Sequence, residues 1–400
     1  MLSTRTVALP DDAALLEWAD PLHPAAFVRD GEGIVGVGER FRLEFTGPDR
    51  VARLAVAWRE LAARARVEDA VDRPGTGLVA FGSIAFSDHS EATSVLVVPA
   101  AVVGRRDGAT WLTTVDAAPP PDRSTLGTAP ATELHAADTS PDAYRAAVAA
   151  ATAAIRSGHL EKVVLARSLA GRIPANADRR AVLRRLADAY PLTAVFAVDG
   201  LLGASPETLV RVRDGRMSAR VLAGTAARGA SGTPDERAGA ELAGNAKNRG
   251  EHELAVRSVL DVLSAHATNI QRSPEPFPLR LPNLWHLATD VSAELTPGRS
   301  ALDLVAALHP TAAVAGTPTE TALDLIADLE PLDRGRYAGP VGWIDDAGDG
   351  EWAIALRCAQ VADDGAVTAW AGAGIVGDSN PDRELEETEL KFRPIRDALS

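Results

Sequence analysis

Along the first part of the chain apolar and polar residues alternate in short runs. "GIVGVGERFRLEF", "GLVAFGSIAFS" and "TSVLVVPAAVVGRRDGATWLTTV" carry the period-two pattern of half-buried strands. Between them "DRVARLAVAWRELAARARV" has helical apolar spacing and predicts an amphipathic helix. The segment that follows, "DAAPPPDRSTLGTAPATELHAADTSPD", is rich in Pro, Ala and Thr and predicts a linker or a long surface loop.

From about residue 140 the texture changes. "SPDAYRAAVAAATAAIRSG" predicts a helix with Ser140 as its cap, Pro141 in the first turn and Gly158 as its stop. "KVVLARSLAGRI" reads as a strand, and "ADRRAVLRRLADAYP" as a helix ended by Pro191. A meander of strands with Gly turns follows, then one long helix or two in series over "DERAGAELAGNAKNRGEHELAVRSVLDVLSAHA". Near the C-terminus, "GPVGWIDDAGDGEWAIALRCAQVADDGAVTAWAGAGIV" predicts three strands joined by Asp-Gly turns. Strands in blocks with helices between them predict an α+β fold with antiparallel sheets, not a doubly wound parallel sheet.

Composition narrows the partners. The 400 residues carry a formal net charge of −14, a poor field for nucleic acid or an anionic membrane. One cysteine, Cys358, excludes an internal disulfide and a thiolate zinc cluster. No apolar run is long enough to span a bilayer, and the N-terminal residues lack a signal-peptide pattern, so a cytoplasmic location is expected.

Gly372-Ala373-Gly374-Ile375-Val376-Gly377 matches G-x-G-x-x-G after a predicted strand. The dinucleotide fingerprint needs a helix that opens inside the motif, and here Asp378, Ser379, Asn380 and Pro381 intervene. The glycines are expected instead to allow a close backbone approach. On the helix that then begins, Glu384, Glu387 and Lys391 share one face, and Leu385, Thr388 and Phe392 share another. Glu386 and Glu389 fall elsewhere and read as solvated.

Four more charged residues stand in unusual places. Glu251 sits where a polar stretch becomes an apolar helix, either exposed or paired with a cation. Lys162 opens a strand, either guarding an edge or pointing into a cleft. Glu207 lies in the "GASPETLV" turn, where it reads first as a turn carboxylate. Arg357 lies mid-strand in "IALRCAQV" and, if buried, needs a carboxylate from protein or ligand.

Together these segments resemble the chorismate-utilising enzymes: isochorismate synthase, salicylate synthase, anthranilate synthase component I and aminodeoxychorismate synthase component I. The likeness runs in order from about residue 140 to about 395, through "KVVLARS", "GASPETLV", "LAGTAARG", "KNRGEHELAV", "LWHLATDVSAEL", "LHPTAAVAGTP", "RGRYAGPVGW", "IALRCAQV" and "AGAGIVGDSNPDRELEETELK". It implies one large α+β fold around a central cleft, with residues 1–138 as its N-terminal part and 139–400 as the chorismate-binding catalytic region. It implies Mg2+ held by Glu251 and Glu387, with Glu384 in an outer role or acting through water. Asn248 departs from the acidic residue often found one turn before the first ligand. Tyr337, Arg357, Gly372, Gly374 and Lys391 would bind the substrate's carboxylates and enolpyruvyl group, while Gly224, Thr225 and His286 would line the ring pocket.

Within the family the nucleophile separates the reactions. Ala223 in "VLAGT" lacks the nucleophilic lysine of aminodeoxychorismate synthases, and Lys162 stands where ammonia users carry Gln. The resemblance therefore implies water as nucleophile and isochorismate as product, feeding menaquinone, siderophore or salicylate synthesis. Lys162, its pKa lowered by burial or nearby cations, would be the general base, and Glu207 the general acid. "LHPTAAVAGTPTE" leans towards isochorismate synthase over salicylate synthase; anthranilate synthase component I, a catalytically silent homologue and a nucleotide-binding oxidoreductase are the further alternatives. No amidotransferase subunit is expected, and a monomer is.

Overall fold

The computed structural model describes residues 2–10, 13–227, 233–280 and 284–400, without the side chains of Thr225, Ala227, Thr233, Pro234, Lys247, Glu251 and Leu284. The N-terminal region forms β1 (Ser3–Ala8), β2 (Ala25–Arg29), β3 (Glu32–Val37), β4 (Phe41–Phe45), α1 (Arg50–Ala63), β5 (Arg66–Asp69), β6 (Val79–Ser83), β7 (Ser94–Val98), β8 (Ala101–Arg106) and β9 (Ala109–Val115). The Pro-rich segment contains the short β10 (His135–Ala136). Then come α2 (Pro141–Arg156), β11 (Lys162–Arg172), α3 (Arg180–Ala189), β12 (Ala194–Val198), β13 (Leu201–Ser205), β14 (Thr208–Arg213) and β15 (Arg216–Ala227). The predicted long helix is two, α4 (Thr233–Gly244) and α5 (Ala246–Ser264). The break falls at Asn245, whose side chain accepts from Asn248 N at 3.0 Å and caps the second helix.

The remaining elements are β16 (Ala267–Arg272), β17 (Phe277–Arg280), β18 (Leu284–Leu295), α6 (Ala301–Leu308), β19 (Gly316–Thr317), α7 (Thr319–Leu329), β20 (Pro340–Asp345), β21 (Gly350–Ile354), β22 (Cys358–Val361), β23 (Ala366–Ile375) and α8 (Pro381–Ala398). The expected three C-terminal strands are thus four. The segment taken as one strand, "EWAIALRCAQV", breaks after Ile354 and resumes at Cys358. Arg357 accordingly lies between strands, not mid-strand, and has a φ of 51°. An alternating apolar run looks the same whether a strand continues or bends into a new sheet, so the pattern could not show this corner.

Among the described residues the strands form two sheets, of 13 and 10 strands. In the larger, β11, β23, β22, β13 and β12 run side by side and continue into β2, β3, β8 and β9. In the smaller, β18, β15, β14, β21 and β20 run side by side and continue into β6, β7 and β4. Both sheets therefore mix strands from the two ends of the chain, and the pairs that bear the site are antiparallel. One core cluster includes Phe81, Trp343, Trp352, Val163 and Leu165, drawing on both sheets. A second joins the larger sheet (Leu169, Ala369) to α3 (Leu183) and α8 (Phe392, Ile395). Each buried Val, Leu, Ile or Phe side chain among them contributes roughly 1.5–3 kcal/mol.

α8 forms where its caps and stripe predict. Asn380 accepts from Asp382 N at 3.0 Å and Arg383 N at 3.2 Å, and Pro381 takes the first helical position. Leu385, Thr388 and Phe392 are buried as the spacing requires. The same logic starts α2, where Ser140 Oγ accepts from Ala143 N at 3.1 Å.

Candidate active site

The site begins at a ten-residue antiparallel ladder. β11 pairs with β23 from Val163↔Ile375 to Arg172↔Ala366, and Lys162 pairs on its other side with Thr317 of β19. Lys162 therefore does not guard a bare edge. Its side chain lies across Gly374, where an added Cβ would stand 2.9 Å from Lys162 Cε. At Gly372 a Cβ would meet Leu165 O at 2.8 Å and Tyr337 Oη at 3.1 Å. Both glycines sit inside β23, ahead of the helix that opens at Pro381, so they make room for neighbours and form no dinucleotide loop.

α8 packs on this ladder and brings its charged stripe to it. Lys391 Nζ donates to Gly372 O at 2.9 Å and pairs with Glu387 at 2.5 Å. Arg167 of β11 anchors the helix: its buried guanidinium donates through Nε to Thr388 Oγ1 at 2.7 Å and through Nη2 to Glu389. Arg396 closes on Glu389 at 2.5 Å, and both arginines lie over the Phe392 ring. Glu389 is thus a paired anchor and not the solvated charge expected from its helical position. A partner on another strand leaves no trace in the spacing of one helix.

Two more site residues come from a place where the chain crosses between the sheets twice. β13 belongs to the larger sheet and β14 to the smaller, and the link between them carries Pro206 and Glu207. β21 and β22 make the reverse crossing, through Ala355, Leu356 and Arg357. The crossings lie side by side: Ile354 N donates to Glu207 O at 3.0 Å, and Ala204 N donates to Arg357 O at 3.2 Å. Ser205 Oγ fixes the first corner by donating to Ile354 O at 2.5 Å. The positive φ of Arg357, unusual for a non-glycine, is the sort of local strain that surrounding structure has to hold in place.

β15 and β18 supply the opposite wall. Their register shifts between Ala223 and Thr225, and Gly224 takes a φ of 79° at that bulge. His286 Nδ1 donates to Gly224 O at 3.4 Å. α5 is tied to the bulge by His252, which donates through Nδ1 to Ala223 O at 3.0 Å and bonds Thr289 Oγ1 at 2.7 Å. The side chains of Glu251 and Thr225 lie outside the described residues.

Electrostatics ties the walls together. Desolvation raises the Glu207 carboxyl above its usual range, opposed by the charges of Lys162, Arg357 and Lys391. Glu207 keeps some accessible surface, while protein surrounds it closely enough to strip much of its water. Desolvation lowers His286 against its hydrogen bond to Gly224 O, with the charges of Lys162 and Lys391 adding to the lowering. Lys391 is lowered by desolvation against the pull of Glu387, and Arg357 is lowered by desolvation against Tyr337, Glu387 and Glu207. Burial raises Tyr337 well above the ordinary phenol. Glu384 is raised by desolvation and by the charge of Glu387, against a hydrogen bond from Ser379.

Lys162, Glu207, His286, Tyr337, Arg357, Gly372, Gly374, Glu384, Glu387 and Lys391 therefore converge, with Gly224 behind His286. Spacing gave no sign of Tyr144, a buried phenol that feels the charges of Glu384 and Glu387 and donates to Leu165 O at 3.2 Å. The arrangement offers a carboxyl inclined to hold its proton, cations to receive anions, and acidic oxygen donors of the kind a hard cation takes. Among the described residues no group of three or more His, Cys, Asp or Glu is placed to hold a metal by itself.

Residues 117–400 match the family model described as chorismate binding enzyme. Over 271 residues the chain is 39% identical to the isochorismate synthase DhbC of Bacillus subtilis (strain 168), an alignment covering 65% of this chain and 68% of the relative. It is 39% identical over 250 residues to the isochorismate synthase EntC of Escherichia coli (strain K12), covering 61% of this chain and 64% of the relative. The solved structure of MenF, the menaquinone-specific isochorismate synthase from Escherichia coli, superposes with a TM-score of 0.80 at 26% identity, covering 100% of this chain and 95% of the other. This chain belongs to the family of chorismate-binding enzymes.

Proposed function

We propose that the protein is an isochorismate synthase that converts chorismate reversibly to isochorismate with water as nucleophile. The observation that carries the reading is the electrostatic coupling of Lys162 to Glu207, the lysine being foremost among the charges that oppose desolvation of the Glu207 carboxyl. A carboxyl that tends to hold its proton can act as general acid, and a lysine beside it can act as general base. The names of the relatives support the same reaction.

Lys162 Nζ takes a proton from a water whose oxygen bonds to C2. The ring double bonds shift, the C4–oxygen bond breaks, and Glu207 protonates the departing hydroxyl. The roles exchange in the reverse direction. Arg357, Lys391, Tyr337 and the backbone at Gly372 and Gly374 hold the substrate's carboxylates and enolpyruvyl group, while His286, Gly224 and Thr225 line the ring. Glu251 and Glu387 would hold Mg2+, with Glu384 in an outer role or acting through water. The donor chemistry fits, because Glu384 and Glu387 stand one turn apart and the charge of Glu387 raises Glu384, a repulsion a cation relieves. When bound, Mg2+ supplies positive charge for the ring carboxylate. The working form is taken as a cytoplasmic monomer without an amidotransferase subunit.

The test is an incubation of purified protein with chorismate and Mg2+, read by HPLC beside an EDTA control. A chorismate–isochorismate mixture that EDTA abolishes is expected. Salicylate with pyruvate, or anthranilate on adding ammonium, would replace this reading.

A further inference from the structure

A second group of charged side chains lies between the sheets, away from the cleft. Arg29 on β2 and Arg106 at the end of β8 come from the larger sheet; Arg211 and Arg213 on β14 come from the smaller. One buried carboxylate, Glu351 on β21, faces them. It accepts from Arg211 Nη2 at 2.7 Å and from Arg29 Nη2 at 3.0 Å. The four arginines thus face Glu351 together, and the only other acid acting on Arg106 among the described residues is Glu32.

The hydrogen bonding is unbalanced in the same sense. Arg29 Nε, Arg106 Nη1, Arg211 Nε and Arg213 Nε are buried without a partner. The Arg106 guanidinium stands 5.6 Å from the Trp343 ring, and Trp343 Nε1 is buried without a partner too. Every one of these unsatisfied atoms is a donor. Arg106 is itself only 5% exposed, so solvent does not satisfy it. Burial and mutual repulsion together outweigh the acid here: Arg29 and Arg106 are lowered first by desolvation, with the charges of Arg211 and Arg213 adding to it against the pull of Glu351. Buried donors of one sign without acceptors are costly, and planar guanidinium groups match the oxygens of an oxyanion. A water would accept hydrogen bonds but leave the charge unmet.

We propose that this cluster is a binding site for a small oxyanion of the phosphate or sulfate class, held by Arg29, Arg106, Arg211 and Arg213 between the two sheets. The site is connected to the cleft, because Arg29 Nη2 also donates at 3.1 Å to Thr208 Oγ1, and Thr208 follows Glu207 directly.

The test is thermal unfolding of the whole protein titrated with inorganic phosphate or sulfate, with ionic strength held constant by chloride. A saturable rise in Tm is expected for the wild type, as for any ligand that prefers the folded state. The rise should persist in Lys162→Ala, which separates this site from anion binding in the cleft. It should vanish in Arg106→Met and in Arg213→Met, and both variants should keep wild-type turnover of chorismate in chloride. Arg213 is less buried, so its variant carries the test if Arg106→Met does not fold. No saturable rise in the wild type, or a rise that survives in the Arg213 variant, overturns the proposal.

Discussion

Lys162 lies across Gly374, so that a Cβ on the glycine would stand 2.9 Å from Lys162 Cε and 3.6 Å from its Nζ. The clash in Gly374→Ala would fall on the far end of a flexible side chain. The fold should therefore accept the methyl while the ammonium is displaced. Tm should stay near that of the wild type while kcat falls by about 10–100-fold, since small misplacements at a reacting group cost that much. Unchanged kcat in the Ala variant would separate Lys162 from the chemistry.

Glu207→Gln removes the proposed acid, and kcat should fall by about 10²–10⁴-fold. The pH dependence has a definite sign. Desolvation raises Glu207, and the acid must be protonated to act, so wild-type kcat should fall as pH climbs through that raised pKa. Stability follows from the same shift. Below the ordinary glutamate range both folded and unfolded forms are protonated and burial costs nothing extra. As pH rises from there through the raised folded pKa, the unfolded chain ionises first and the folded state loses stability. The Tm advantage of Glu207→Gln over the wild type should thus be larger at neutral pH than in acid, which a series of melts can read.

Arg167 joins β11, which begins with Lys162, to α8, which bears Glu384, Glu387 and Lys391. Arg167→Met should cost about 2–3 kcal/mol, the scale for losing hydrogen bonds to a charged group from a buried position. In the double variant with Glu389→Gln the costs should not add, because the two side chains act on each other. Additive losses in urea unfolding would show that Arg167 works through packing alone.

Glu387→Gln should raise the Mg2+ concentration needed for half-maximal turnover by about 10-fold or more, on the scale seen when a group that orients or ligates a metal is altered. It should barely move Tm. The Glu387–Lys391 pair is part-exposed, with side chains 48% and 24% accessible, and such pairs contribute about 0–1 kcal/mol. Unaltered Mg2+ dependence would assign the metal elsewhere.

Much of this site could be read from the chain because its parts are local. The Glu384–Glu387–Lys391 stripe follows from helical spacing, and Asn380–Pro381 announces the helix that carries it. The likeness of ordered blocks then pointed to residues far apart in the chain, of which Lys162, Glu207, Arg357 and Lys391 act on one another electrostatically, while the side chains of Glu251 and Thr225 lie outside the described residues. The corner at Arg357 stayed hidden, since period two is blind to which sheet a strand joins and a positive φ at an arginine has no sequence mark. Glu389 was misread for a related reason: its partner Arg167 is more than two hundred positions away. The pairing of β2 with β12 is also remote in sequence and rests on the fold as a whole.

The paired corners at Ser205–Glu207 and Ala355–Arg357 have a mechanical consequence. Any sliding of one layer past the other must pull on both links at once, and those links hold the proposed proton donor and a cation proposed to face the substrate. The reaction centre therefore acts as a strain gauge for the whole sandwich. Gentle denaturant should silence turnover while circular dichroism still reports intact sheets, so that the enzyme stops working before it comes apart.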